Sequence, residues 1–183
     1  FNRPNVRLIN SAVERISANA VHAENESTVV DTVIFATGFQ TTRYLSCIDV
    51  YGRDGISIHE AWENGAQAYL GITTSNFPNL FMLYGPNTNN GSILEMIELQ
   101  VAYILRQLRF MDEHELRWMA PKSSKMTEYN KSLQRDLQNV DVWRADCGGY
   151  YRGRAGFIVT QWPHTMDEYK SRLESDRGSF ATG

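Results

Sequence analysis

Residues 85–92, Gly-Pro-Asn-Thr-Asn-Asn-Gly-Ser, place small and amide-bearing side chains between an apolar run at 79–84 and a long apolar-periodic segment that starts at Ile93. A strand that turns through such residues into a helix leaves the first helical N–H groups unpaired and aimed beyond the strand end. An anionic or electron-rich ligand is stabilised there. The same residues also suit an ordinary turn capped by Asn90 or Ser92, and spacing leaves both readings open. A second phrase with two meanings is Ala36-Thr37-Gly38, which follows an apolar run at 29–35. Small residues at a strand end permit a tight turn, or let the backbone approach a cofactor closely.

Other candidate chemistries are weaker. His22, His59, His114 and His164 have no metal-ligand spacing with one another or with Cys47 and Cys147, so no metal site is expected. The segment at 149–154 mixes Tyr150 and Tyr151 with Arg152 and Arg154, as some RNA-binding segments do. It stands alone in a chain of net charge -3, so no nucleic-acid partner is expected.

The elements that must position these residues follow from pattern. A length of 183 residues with 42% hydrophobic and 21% charged residues describes one compact globular unit. Two isolated cysteines fit a reducing, cytoplasmic setting. The apolar stretch 93–111 is interrupted by Glu95, Glu98, Arg106 and Arg109, which predicts a buried helix in place of a membrane span. No leader pattern precedes it. The chain opens at Phe1 without Met, as an excised piece of a longer protein would.

β-prone runs at 6–9, 12–16 and 20–23 predict a meander, and residues 29–35 a strand buried on both faces. Asp54-Gly55 marks a turn, 59–62 a short helix, and 79–84 a strand leading into the helix after Ser92. The expected core face of that helix is Ile93, Ile97, Val101, Ile104, Leu108 and Met111, widened by Leu94 and Leu105. Met126, Tyr129, Leu133, Leu137 and Val140 predict a further, surface-lying helix. A strand is expected at 157–160, and Trp62 and Trp118 as core anchors.

Residues 31–39, Asp-Thr-Val-Ile-Phe-Ala-Thr-Gly-Phe, and residues 77–87, Phe-Pro-Asn-Leu-Phe-Met-Leu-Tyr-Gly-Pro-Asn, resemble two phrases of the class B flavoprotein monooxygenases, the flavin-containing and Baeyer-Villiger enzymes. Trp143, Tyr150-Tyr151, Trp162-Pro163 and Tyr169 resemble the family's closing pattern, so the likeness runs from about Arg3 to Leu173. The resemblance implies an α/β fold, part of a two-dinucleotide-binding-domain flavoprotein: a β-meander, a strand-helix unit of the FAD domain and a carboxy-terminal cap. Residues 1–39 would end the NADPH-binding domain with the Ala-Thr-Gly hinge, 40–112 would return to the FAD-binding domain, and 113–183 would form the cap.

The same resemblance implies Thr37, Gly38, Gly85, Pro86, Asn87, Asn90, Ser92 and Ile93 as cofactor-binding residues. Tyr150 and Tyr151 would line a substrate or nicotinamide pocket, although relatives often carry Trp-Tyr there. The implied cofactors are FAD and NADPH, and the partners a small organic substrate and O2. The implied reaction inserts one oxygen atom into a ketone, or transfers it to a soft heteroatom, through a C4a-peroxyflavin. The chain departs from the family in its short turn at 90–92 and in having no G-x-G-x-x-G phosphate cradle. The family's peroxyflavin-stabilising arginine and its fingerprint sequence would lie upstream of these residues, so no catalytic residue is assigned; the isolated chain is expected to be inactive, and it could pair with a second copy. The competing expectation is a non-catalytic binding or assembly module that has lost redox chemistry. A flavin disulfide reductase is disfavoured by the lack of a paired redox cysteine in these residues.

Overall fold

The computed structural model describes residues 1–38, 42–140 and 156–183. They form two compact units, Phe1–Gly38 and Phe39–Gly183. The first is an antiparallel three-stranded meander of β1 (Val13–Ile16), β2 (Ala20–Ala23) and β3 (Glu26–Val29), in that order. Short polar turns close both hairpins, and His22 on the middle strand bridges Ser17 and Ser27 at 3.0 and 2.7 Å.

Two of the expected runs in this unit are corrected. Residues 6–9 form no strand, with Leu8 exposed. In the run 29–35 only Val29 joins a strand, and Ile34 and Phe35 are 87% and 72% exposed. A strand buried on both faces needs neighbours beside it and layers above and below it. The described residues of this unit supply neither.

The second unit is mainly helical. A 3-10 turn (Arg53–Gly55) precedes α1 (Ile58–Ala61), whose Ser57 and Glu60 form a capping box. Then come α2 (Ile93–Glu113), β4 (Met119–Pro121), α3 (Ser123–Gln138), α4 (Met166–Ser175) and β5 (Phe180–Thr182), with β4 and β5 antiparallel. The larger core joins Leu70, Ile72, Met96, Tyr103, Leu133, Leu137, Ile158, Trp162, Tyr169 and Leu173. A smaller one gathers Ile58, Trp62, Ala66, Ala68, Phe77 and Met82, so Trp62 anchors core as expected. Trp118 is half-buried under the guanidinium of Arg53, 3.9 Å from the ring centre.

Three further expectations change. Residues 79–84 are a turn and coil, with Asn79 and Tyr84 in the left-handed region and Met82 donating to the Ile72 carbonyl at 2.7 Å. Residues 157–160 form no strand. On α2 the buried stripe is Met96, Gln100 and Tyr103, while Leu94, Val101, Leu105 and Leu108 are exposed. The helix is apolar around much of its circumference, and the core of this unit takes only one side. The stripe expected on α3 does pack inward, with Leu133 and Leu137 fully buried.

Candidate functional site

The turn at 85–92 is built on close backbone contact. A Cβ on Gly85 would lie 2.4 Å from the Gly71 carbonyl oxygen, and Gly71 itself has φ 68. Only glycine lets these two backbones touch. The buried side chain of Gln100 on α2 accepts the Tyr84 N–H at 2.8 Å and donates to the Tyr169 hydroxyl at 3.0 Å. Tyr169 in turn donates to the Leu70 carbonyl at 2.6 Å. Both the oxygen and the nitrogen of this amide, buried mid-helix, thus have a partner.

Beyond Gly85 the chain lies alongside residues 158–162. Asn87 N–H donates to Val159 and Asn89 N–H to Thr160, both at 2.9 Å, and Trp162 N–H returns to Asn89 at 3.2 Å. Side chains reinforce this parallel pairing. The Asn87 amide, 2% exposed, donates to the carbonyls of Ile158 at 2.7 Å and Gln161 at 3.0 Å. Asn90 donates to Trp162 at 2.9 Å. Trp162, fully buried, sets its ring edge-on to Tyr169 at 5.1 Å. These bonds satisfy backbone groups that have no sheet to join.

The turn delivers the chain to α2. Ser92 Oγ accepts from Glu95 N–H at 3.3 Å, and its carbonyl accepts from Met96. Among the described residues the Ile93 and Leu94 amides have no acceptor, and both residues are exposed. An open cleft of about 690 Å³ adjoins the turn, lined by Asn90, Gly91, Pro163, His164, Thr165, Met166 and Glu168. Thr165 caps α4 at the cleft, and residues 90 and 91 of the turn before α2 line it as well. His164 Nε2 lies 3.0 Å from an Asp136 carboxylate oxygen and 3.1 Å from an Arg172 guanidinium nitrogen, donating to the one or accepting from the other. The arrangement offers backbone donors and a positive dipole end to an electron-rich group.

Of the residues expected to bind a cofactor, Gly85, Pro86 and Asn87 are buried in the turn, while Asn90, Ser92 and Ile93 are exposed where it meets α2. Thr37 and Gly38 (φ 77) lie exposed at the end of the first unit. Tyr150 and Tyr151 fall outside the described residues. No cluster able to hold a metal occurs among the described residues. No helix among them is long and apolar enough to cross a membrane. Sequence reasoning missed Gln100, Gln134 and Gln161. The first two sit in line with apolar neighbours of a helical stripe, which was the available signal.

No family model matches the chain. By sequence it is 32% identical over 183 residues to an FAD-binding monooxygenase (ktnD) of Aspergillus niger, covering 97% of this chain and 30% of that protein. It is 38% identical over 164 residues to a Baeyer-Villiger monooxygenase of Pseudomonas aeruginosa, covering 87% of this chain and 31% of the relative. A cyclohexanone monooxygenase from Rhodococcus sp. Phi1, solved bound to NADP+, superposes with a TM-score of 0.80 at 26% identity over 99% of this chain and 36% of that one. The chain therefore spans about a third of the length of the proteins it matches, and across nearly all of its own length it corresponds to part of a monooxygenase.

Proposed function

We propose that this chain is the carboxy-terminal portion of an FAD- and NADPH-dependent flavoprotein monooxygenase acting on a small organic substrate. In this reading one oxygen atom of O2 enters a ketone or passes to a soft nitrogen or sulfur. The observation that carries it is the pair of acceptor-free amides, Ile93 and Leu94, opening α2 beside the exposed end of the turn at 90–92. The names of the relatives, FAD-binding and Baeyer-Villiger monooxygenases, point the same way.

These residues fit the electron-rich edge of a flavin, because two free donors and a helix amino terminus favour negative charge by about 0.3 to 2 kcal/mol. FAD, when bound, supplies the electron transfer and the activation of oxygen. What the chain supplies is placement. The Gly71–Gly85 contact sets the turn, and the pairing of 87–90 with 158–162 fixes its path. Ser92 occupies the Glu95 amide and leaves the two before it available. Residues 1–39 would close the NADPH-binding domain at the Thr37-Gly38 hinge, 40–112 would complete the FAD-binding domain, and 113–183 would cap it.

The exposed apolar residues Ile34 and Phe35, and the outward face of α2 at Leu94, Val101, Leu105 and Leu108, suit burial against the remainder of such a protein. The isolated chain, with no phosphate cradle of its own, would be colourless and inactive. The test is to produce the parent polypeptide that contains this chain and measure its flavin absorbance and NADPH consumption. Stoichiometric FAD and oxygen-dependent NADPH oxidation are expected. A folded parent without flavin would overturn the reading.

A further inference from the structure

We propose that Gln134 on α3 is a positioning residue for the amide-bearing end of α2, acting through the backbone of Ile158. This rests on the flavin reading for what is positioned, but its geometry does not. The Gln134 side chain makes two bonds to one residue: Nε2 donates to the Ile158 carbonyl at 2.8 Å, and Oε1 accepts the Ile158 N–H at 3.1 Å. A side-chain amide here takes the place of a neighbouring strand.

The Ile158 carbonyl also accepts the Asn87 side-chain amide at 2.7 Å. A carbonyl oxygen has two lone pairs, and here one faces α3 and the other the turn. Asn87 is tied to the same segment twice more, through its N–H to Val159 and its side chain to Gln161. It holds a left-handed backbone at φ 59. From Asn87 the chain is bonded again at Asn89 and Asn90 before it reaches Ser92. A shift of Ile158 is therefore carried to the start of α2 with little slack. Asp136, two residues further along α3, contacts His164 just beyond the same segment.

Gln134→Glu keeps an acceptor for the Ile158 N–H but sets a carboxylate oxygen against the Ile158 carbonyl. Gln134→Met removes both bonds at similar volume. In the parent protein, wild-type flavin content first tests the flavin reading by itself. Amide exchange then tests the link: the Asn87 and Asn89 amides should exchange at least about tenfold faster in Gln134→Glu, with Gln134→Met as the variant used if that one does not fold. In the flavin-loaded protein the rate of flavin reduction should fall about tenfold while the KM for NADPH stays within about twofold. Unchanged exchange at Asn87 and Asn89 would overturn the proposal. So would a variant whose melting temperature falls while its flavin-reduction rate does not.

Discussion

Asp176 and Tyr103 meet at 2.6 Å, the phenol donating to one carboxylate oxygen, so the residue that follows α4 is fastened to the middle of α2. The other oxygen takes the Tyr69 hydroxyl at 2.8 Å and the hydroxyl of Ser179. One carboxylate thus gathers a loop, a helix and the segment leading to β5. Asp176→Ala should lower the free energy of unfolding by about 1 to 3 kcal/mol, since it leaves hydroxyls without their charged acceptor. Tyr103→Phe should cost less, because it removes one bond and strands no hydroxyl. Urea unfolding of the two variants checks the order.

Alkaline pH should unfold the chain through its buried phenols. Burial pushes Tyr69 up to about 12, with the Asp176 charge adding to the effect and the Ser179 hydrogen bond drawing part of it back. Burial likewise raises Tyr103, Tyr129 and Tyr169 above the usual phenol range. A folded pKa above the unfolded value of 10.0 means that the neutral form is favoured in the native state. That stability is whole below pH 10 and is lost as pH rises from there through 12 and beyond. Ultraviolet titration should show tyrosinate from these residues appearing together with unfolding, and titration of all nine phenols near 10 in a still-folded chain would contradict it.

Gly85→Ala should be more damaging than its size suggests. Its methyl would have to fit where the Gly71 carbonyl oxygen lies 2.4 Å away, so the turn or the Gly71 loop must move, at a cost of at least about 1 to 3 kcal/mol. Gly55→Ala is the control. Nothing lies within 4 Å of that position, and only its φ of 74 is strained, which costs about 1 to 2 kcal/mol. Denaturation midpoints should rank Gly85→Ala below Gly55→Ala.

The outward face of α2 should matter for association and little for the chain itself. Leu105→Lys with Leu108→Lys alters residues that are 46% and 44% exposed, so unfolding of the isolated chain should change by no more than about 0.5 kcal/mol. In the parent protein the same pair should sharply reduce folded yield, since two ammonium groups would be buried without partners. Equal yields of wild type and variant would argue that this face stays in solvent.

How much could be read from sequence depends on whether a residue answers to its own neighbours or to partners far along the chain. The cap at Ser92, one of the two the turn offered, and the stripe through Leu133 and Leu137 are local features, and they stand where pattern places them. β1 and β2 of the meander are equally local and lie within expected runs, whereas its third strand is β3 (Glu26–Val29) in place of the run at 6–9. Residues 29–35 and 79–84 have the composition of buried strands, yet a ladder needs partners that the described residues do not offer. On α2 the periodicity of Ile93, Val101 and Leu108 was plain, but periodicity cannot choose between two apolar faces. The core took the side of Met96 and Tyr103. The pairing of Asn87 and Asn89 with residues more than seventy positions later joins a turn to the segment read as a strand at 157–160, and no short-range signal names that partner.

Amide exchange reads the two backbone amides that open α2 directly. In the parent protein, the Ile93 and Leu94 N–H groups should exchange at least about tenfold more slowly when FAD is bound than after its removal, because an acceptor then faces them. Equal exchange with and without flavin, in a protein that binds it, would mean that α2 does not point its free donors at the ring.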